Sequence, residues 1–145
     1  MEIRKAGIPE ISQVATLSLK LWPDHTLDDM IAEFDLFAQR NDAALFLAYD
    51  GEKAIGFAQC QLRHDYVEGT HSSPGGYLEG IYVREADRKL GFAGQLMKAC
   101  EDWARTEGCT EFASDCETHN DESLAFHLKL GFKEANRIIC FAKKL

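Results

Sequence analysis

The sequence predicts a single α/β domain over residues 1–145, built on one sheet that is antiparallel in its first half and parallel in its second. Three observations predict it. Runs rich in β-branched and aromatic residues alternate with segments of helical spacing along the whole chain. Asp50-Gly51 separates two of the β-rich runs, a hairpin signal. From Tyr77 onward the order becomes strand, helix, strand, helix, strand, the pattern of crossover units that bring strands parallel.

Taken in order, "EIRKA" opens as a short strand. "IPEISQVATLSLKLW" sets Ile8, Ile11, Val14, Ala15, Leu19 and Trp22 at helical spacing, with Pro9 suited to the first turn. "TLDDMIAEFDLFAQR" is a second helix, with Thr26 as N-cap and Asp29 three residues later, close to a capping box. "ALFLAY" and "KAIGFAQCQLR" are the arms of the hairpin, and "HDYVEGTHSSPGG" is a polar, turn-rich loop. "YLEGIYV" is a strand whose internal Gly80 predicts a bulge or a close backbone approach. "FAGQLMKACEDWARTEG" is a helix with Leu96, Ala99, Cys100, Trp103 and Ala104 on one face and Gly108 as its stop. "TEFASD" is a short buried strand, "DESLAFHLKLGF" a short helix ending at Gly131, and "RIICFAKKL" the last strand. No linker, repeat or low-complexity segment interrupts the order.

Hydrophobic residues at 46% and charged residues at 28% are enough to fill a core, which excludes a disordered chain. No apolar run approaches the roughly 18 residues of a membrane span. The start, "MEIRKAGIPEI", lacks the apolar stretch of a secretory signal, so the expected compartment is the cytoplasm. A formal net charge of −8 argues against nucleic acid as the main partner. The acidic excess either solvates the surface or lines a site for a cationic ligand. Five cysteines, odd in number and without C-x-x-C spacing, predict neither a disulfide framework nor a structural zinc site. Cys60, Cys100 and Cys140 stand among apolar neighbours and read as small core residues.

Chemistry concentrates in "LEGIYVREADRKLGFAGQL", where an apolar strand gives way to Arg84, Arg88 and Lys89 and then to Gly91, Ala93 and Gly94. A helix beginning there leaves backbone N–H groups without partners and carries partial positive charge. Small residues let a bulky anion approach the backbone, and Arg88 and Lys89 add mobile cations. Together these suit a diphosphate. The alternative is an ordinary turn with basic residues facing water.

A bulged strand leading into such a turn resembles the GNAT superfamily of acetyl-CoA-dependent N-acetyltransferases, whose R/Q-x-x-G-x-G/A motif is matched by Arg88, Gly91 and Ala93. "LWPDH", "LRHDYVEGTHSSP", "YLEGIYV", "EFASD" and "LGFKEANRIICFAKK" resemble, more narrowly, the short single-domain bacterial aminoglycoside 6'-N-acetyltransferases. The resemblance implies the GNAT fold, a mixed sheet of about six to seven strands with a bulged, splayed central strand and flanking helices. It also implies acetyl-CoA as cosubstrate with no metal, an aminoglycoside as acceptor, and a homodimer. Direct transfer in a ternary complex would then confer antibiotic resistance.

Residue by residue, the resemblance maps the pantetheine contacts to Ile81, Tyr82 and Val83. It maps the diphosphate loop to Arg88, Lys89, Leu90, Gly91, Phe92, Ala93 and Gly94, and a further coenzyme contact to Asn120. The acceptor site would draw on Trp22, Tyr66, Glu79 and Asp115, converging on one cleft. Acetyl transfer needs a neutral amine, so a carboxylate must take its proton. Glu79 is the first choice and Asp115 the second, with a backbone donor on the bulged strand for the thioester oxygen. Each residue also has a plainer role: Trp22 in the core, Tyr66 pinning its loop, Glu79 facing outward, Asp115 capping a turn, Asn120 starting a helix. Cys116 with His119 lacks the third partner of a nucleophile or metal site. His64, His71 and His127 contact the surface or satisfy polar groups.

One departure stands out. Asn136 occupies a position where the resembled family often carries an acid facing a substrate amine. On a regular strand Glu134 would share its face and could compensate. Two other functions remain open from sequence: a GNAT enzyme for another amine, such as a polyamine or a protein N-terminus, and a non-catalytic acyl-CoA-binding sensor.

Overall fold

The computed structural model describes residues 1–145. The Asp50-Gly51 signal folds as expected: β2 (Ala43–Asp50) turns at Gly51, in the left-handed region with φ 63°, into β3 (Lys53–Arg63). β1 (Glu2–Lys5) pairs antiparallel on the outer side of β2, and β4 (Gly75–Val83) pairs antiparallel with β3. The two-residue β5 (Phe112–Ala113) joins β4 in parallel, giving the order β1-β2-β3-β4-β5.

Helices cover both faces, which is why β2 is apolar at successive positions rather than alternating. One face carries α1 (Ile11–Leu21), entered through a 3-10 turn at Ile8–Glu10, and α2 (Leu27–Ala38), whose first turn is capped by Thr26. Val14, Phe34, Leu45, Leu47 and Phe57 are packed there. The other face carries α3 (Phe92–Thr106), which buries Leu96, Met97 and Cys100 against Phe46, Ile55, Ala58, Cys60 and Leu78. Gly108, at φ 90°, ends that chain turn as predicted. α4 (Asp121–Lys129) begins at Asn120, whose side chain accepts from Ser123 N–H at 3.0 Å.

The sheet has five strands where six to seven were expected. "RIICFAKKL" is the difference: no backbone group beyond Phe132 bonds to the sheet. β5 is too short to template a further strand within the chain. The β-prone side chains of the tail therefore stay in solvent, with Ile139 at 81% and Phe141 at 91% exposure. Two expectations fall with the strand. Cys140 is exposed rather than core, while Cys60 and Cys100 are buried as predicted. Glu134 and Asn136 do not share a strand face: Glu134 pairs with Arg137, and Asn136 donates to Glu68.

Candidate active site

The site begins with a defect in β4. Opposite Gln59 stands Gly80, and opposite Cys60 stands Leu78, so Glu79 is an extra residue with no partner of its own. This is the bulge that Gly80 foretold. Gly80 is required for a second reason: a Cβ there would lie 2.6 Å from the Trp22 ring, which rests on the strand. β5 pairs with β4 only at Gly76 and Tyr77. From Leu78 to Val83, then, that edge of β4 is free of strand partners; by alternation the backbone groups of Ile81 and the N–H of Val83 face the gap, and Val83 O accepts from Arg88 Nε.

The junction after β4 is a cradle of N–H groups. None of the N–H groups of residues 89–94 has a partner within the chain. Lys89, at φ 65°, and Gly91, at φ 88°, are both left-handed, the kind of conformation in which successive N–H groups form an anion-binding concavity. A Cβ on Gly91 would meet nothing nearer than 3.9 Å, so its conformation rather than crowding calls for glycine. Phe92 anchors the cradle by burying its ring in the core, while Lys89 and Leu90 are exposed. Arg88 is half committed: its Nε donates to Val83 O at 2.9 Å, and NH1 lies 3.7 Å from Glu122. These donors fit the diphosphate of a coenzyme. Ala93 and Gly94, half-buried in the first turn of α3, keep its entrance open. Asn120 starts α4, its side-chain oxygen accepting from Ser123 N–H and its amide nitrogen without a partner in the chain.

The acceptor side is divided. Trp22 and Glu79 line a cavity of about 420 Å³ with His25, Glu33 and Gln59. Tyr66, Asp115 and Asn136 line a second, about 960 Å³, between the 66–70 loop, β5 and the start of the tail. The predicted residues thus fall in two cavities rather than one cleft, and the group between them was missed in the sequence. Arg63 NH2 donates to Glu79 Oε1 at 2.9 Å, and Gln61 Nε2 donates to the same oxygen. The Arg63 guanidinium lies 3.5 Å from the centroid of the Tyr77 ring, and Tyr77 donates its hydroxyl to Asp115.

A signal for this network did exist: Gln59, Gln61 and Arg63 are polar at alternate positions of an otherwise apolar strand. Burial works against the Arg63 charge, but the hydrogen bond and ion pair with Glu79 hold its pKa above the ordinary value. Burial and the bond to Asp115 push the Tyr77 hydroxyl up, so it stays protonated and donates. Glu79 Oε2 has no partner and is the oxygen free to receive a proton. His127 is a satisfied residue, as expected: with Nδ1 2.7 Å from Ser123 O and Nε2 2.8 Å from Ser114 Oγ, it ties α4 to the end of β5.

These features have counterparts in known proteins. Residues 11–132 match the model of the Acetyltransferase (GNAT) family. The aminoglycoside N(6')-acetyltransferase type 1 of Acinetobacter haemolyticus is 39% identical over 145 residues, covering 100% of this chain and 99% of that protein. The protein of the same name from Salmonella typhimurium is 39% identical over 144 residues, 99% of each chain. The structure is similar to that of the 6'-N-acetyltransferase AAC(6')-IG from Acinetobacter haemolyticus, with TM-score 0.95 and 37% identity, covering 100% of this chain and 99% of that one. It is similar also to AAC(6')-Iy in complex with the bisubstrate analog CoA-S-monomethyl-acetylneamine, with TM-score 0.94 and 38% identity over 99% and 98% of the two chains. A cradle of six free N–H groups beside a bulged strand, over a chain related from end to end, places this protein in the GNAT acetyltransferase family, among the aminoglycoside N(6')-acetyltransferases.

Proposed function

We propose that this protein transfers the acetyl group of acetyl-CoA to the 6'-amino group of aminoglycosides and thereby confers resistance to them. The observation that carries the reading is the bulge, which sets the free oxygen of Glu79 beside the unpaired edge of β4. Acetyl-CoA, held by the N–H groups of residues 89–94 and the edge at Ile81–Val83, supplies an activated carbonyl carbon. The acceptor nitrogen bonds to that carbon, the carbon–sulfur bond breaks, and the sulfur takes the second proton the nitrogen sheds and leaves as the thiol. Glu79 Oε2 receives the proton that the ammonium must lose, directly or through water. A free N–H on β4 donates to the carbonyl oxygen as it gains charge. Asp115, fixed by Tyr77, holds a second ammonium group, with Tyr66, Trp22 and Asn136 lining the rest.

The test is release of thiol across a panel of aminoglycosides, polyamines and peptides. Release with aminoglycosides supports the reading. Release only with polyamines or peptides moves the activity to another amine, and release with none makes the protein a coenzyme sensor.

We place the reaction in the cytoplasm, where acetyl-CoA is made and where five unpaired cysteines stay reduced. The protein acts as a homodimer in this reading. Lys133, Arg137, Lys143 and Lys144 stand against Glu134 alone, so the 133–145 tail carries +3 within a chain of −8. Its exposed Ile138, Ile139, Phe141 and Leu145 need cover. Another copy offers it the outer edge of the short β5, with the acidic Glu111 just before that strand and Glu117 after it. Sedimentation should give a dimer for the parent and a monomer for Ile139→Asp with Phe141→Asp; a monomeric parent removes the dimer.

A further inference from the structure

Arg63 raises a question that acetyl transfer alone does not answer. A site for polycations has a cation built into its centre. The guanidinium stands between the two carboxylates that face the acceptor, paired with Glu79 on one side and stacked on the Tyr77 ring, which holds Asp115, on the other. It also stands between the two cavities: Glu79 lines the first and Arg63 the second.

Three features make this arrangement reversible. The Arg63 side chain is 40% exposed, so water is ready to receive the charge when it leaves. Gln61 donates to the same Glu79 oxygen and keeps it satisfied in the absence of the guanidinium. Tyr77 is buried and donates to Asp115 without help from Arg63, so Asp115 stays in place. A partly exposed pair of this kind is worth up to about fivefold in an equilibrium. One ammonium group of the acceptor carries the same charge and comparable donors.

We propose that Arg63 is a displaceable internal cation that selects for polycationic acceptors. An ammonium group takes its place at Glu79 Oε1, the guanidinium swings off the Tyr77 ring, and the two cavities become one cleft. Exchange at Glu79 trades one cation for another with little net gain. Binding is then driven by the remaining ammonium groups, at Asp115 and along the walls, and an acceptor with a single amine is refused. This rests on the reading of both cavities as the acceptor cleft of an aminoglycoside acetyltransferase.

The ring current of Tyr77 gives the test its readout. In protein carrying ¹³C-labelled arginine, one pair of Hδ resonances should lie upfield and vanish in Arg63→Lys. With CoA present, neamine should move that pair to ordinary arginine positions over the same concentrations that change Trp22 fluorescence. Neamine binding reported by Trp22 with the Arg63 signal unmoved overturns the proposal. If neamine fails to bind, the acceptor reading fails, and spermine in the same titration still decides on Arg63: displacement supports the proposal, and an unmoved signal overturns it. Arg63→Gln keeps a donor toward Glu79 and removes the competing charge. Its neamine affinity at low salt should rise by up to about fivefold, and a weaker affinity overturns the proposal.

Discussion

The coenzyme half and the acceptor half of this protein are built by different means. The cradle at residues 89–94 is made of backbone: consecutive N–H groups, aimed by two left-handed residues and anchored by Phe92. Its parts are neighbours in sequence and its geometry is set by local dihedral angles. The acceptor half is made of side chains from the α1–α2 connection, α2, β3, β4, the 66–70 loop and the segments around α4. It is held by hydrogen bonds between residues 16 to 68 positions apart, such as Arg63 to Glu79, Tyr77 to Asp115 and Asn136 to Glu68. A backbone site tolerates most side-chain changes and fails when φ is disturbed. A side-chain site fails one residue at a time and can be retuned by single charges.

The largest effect that separates the halves is expected at Glu79. Glu79→Gln preserves the shape of the bulge and removes the proton acceptor. Turnover should fall about a hundredfold, the lower end of what general base catalysis contributes, and most steeply at low pH. Acetyl-CoA binding should be unchanged. Parent-like turnover across the pH range would leave the proton to water or Asp115.

Gly91→Val is the counterpart on the other side. It changes no charge and meets no steric obstacle, but a β-branched residue at φ 88° costs on the order of 1–2 kcal/mol or reshapes the turn. Acetyl-CoA affinity should drop about tenfold, read as loss of thermal protection. In the parent, coenzyme at about 100 times its Kd stabilises by about 2.7 kcal/mol. Unaltered protection in the folded variant would dissociate the cradle from the coenzyme.

Asn136→Glu tests how far the acceptor side can be retuned. It adds one exposed carboxylate beside Glu68 at the second cavity. Affinity for the most highly charged aminoglycosides should tighten by at most several-fold at low salt, and the gain should vanish at high salt. Equal low-salt affinities would put Asn136 outside the site.

The smallest effect concerns the polar loop. Glu111 accepts from His71 N–H and Ser72 Oγ, bonds that hold its pKa below the usual carboxylate value. The tether is therefore intact above the usual carboxylate pKa and is lost as pH falls through the lowered one. Hydrogen exchange at His71, corrected for intrinsic rate, should accelerate only in acid, and Glu111→Gln should bring the change to neutral pH.

What the sequence could disclose follows the same division. Helix starts at Thr26 and Asn120, the turn at Gly51, the stop at Gly108 and the bulge near Gly80 are each written in a few adjacent residues, and each formed. The cradle belongs with them. Glu79 and Trp22 were named from resemblance to a family, and Gly80 ties them together physically by admitting the Trp22 ring. Alternation along β3 marks Arg63 as one of three polar residues on one face, but its pairing with Glu79 and Tyr77 depends on β3–β4 register across a bulge, which no local pattern specifies. The tail misled for the opposite reason. "RIICFAKKL" has every local mark of a strand, but pairing needs a partner edge beside it, and the two-residue β5 is too short to give one.

Bulge and cradle, acting together as proposed, deliver acetyl to one particular nitrogen. The most direct measurement is the NMR structure of the product formed from neamine and acetyl-CoA. A single new amide at the 6' nitrogen is expected, with no product from a congener bearing a 6'-hydroxyl. Acetylation at another amine, or equal turnover of the 6'-hydroxyl congener, would contradict it.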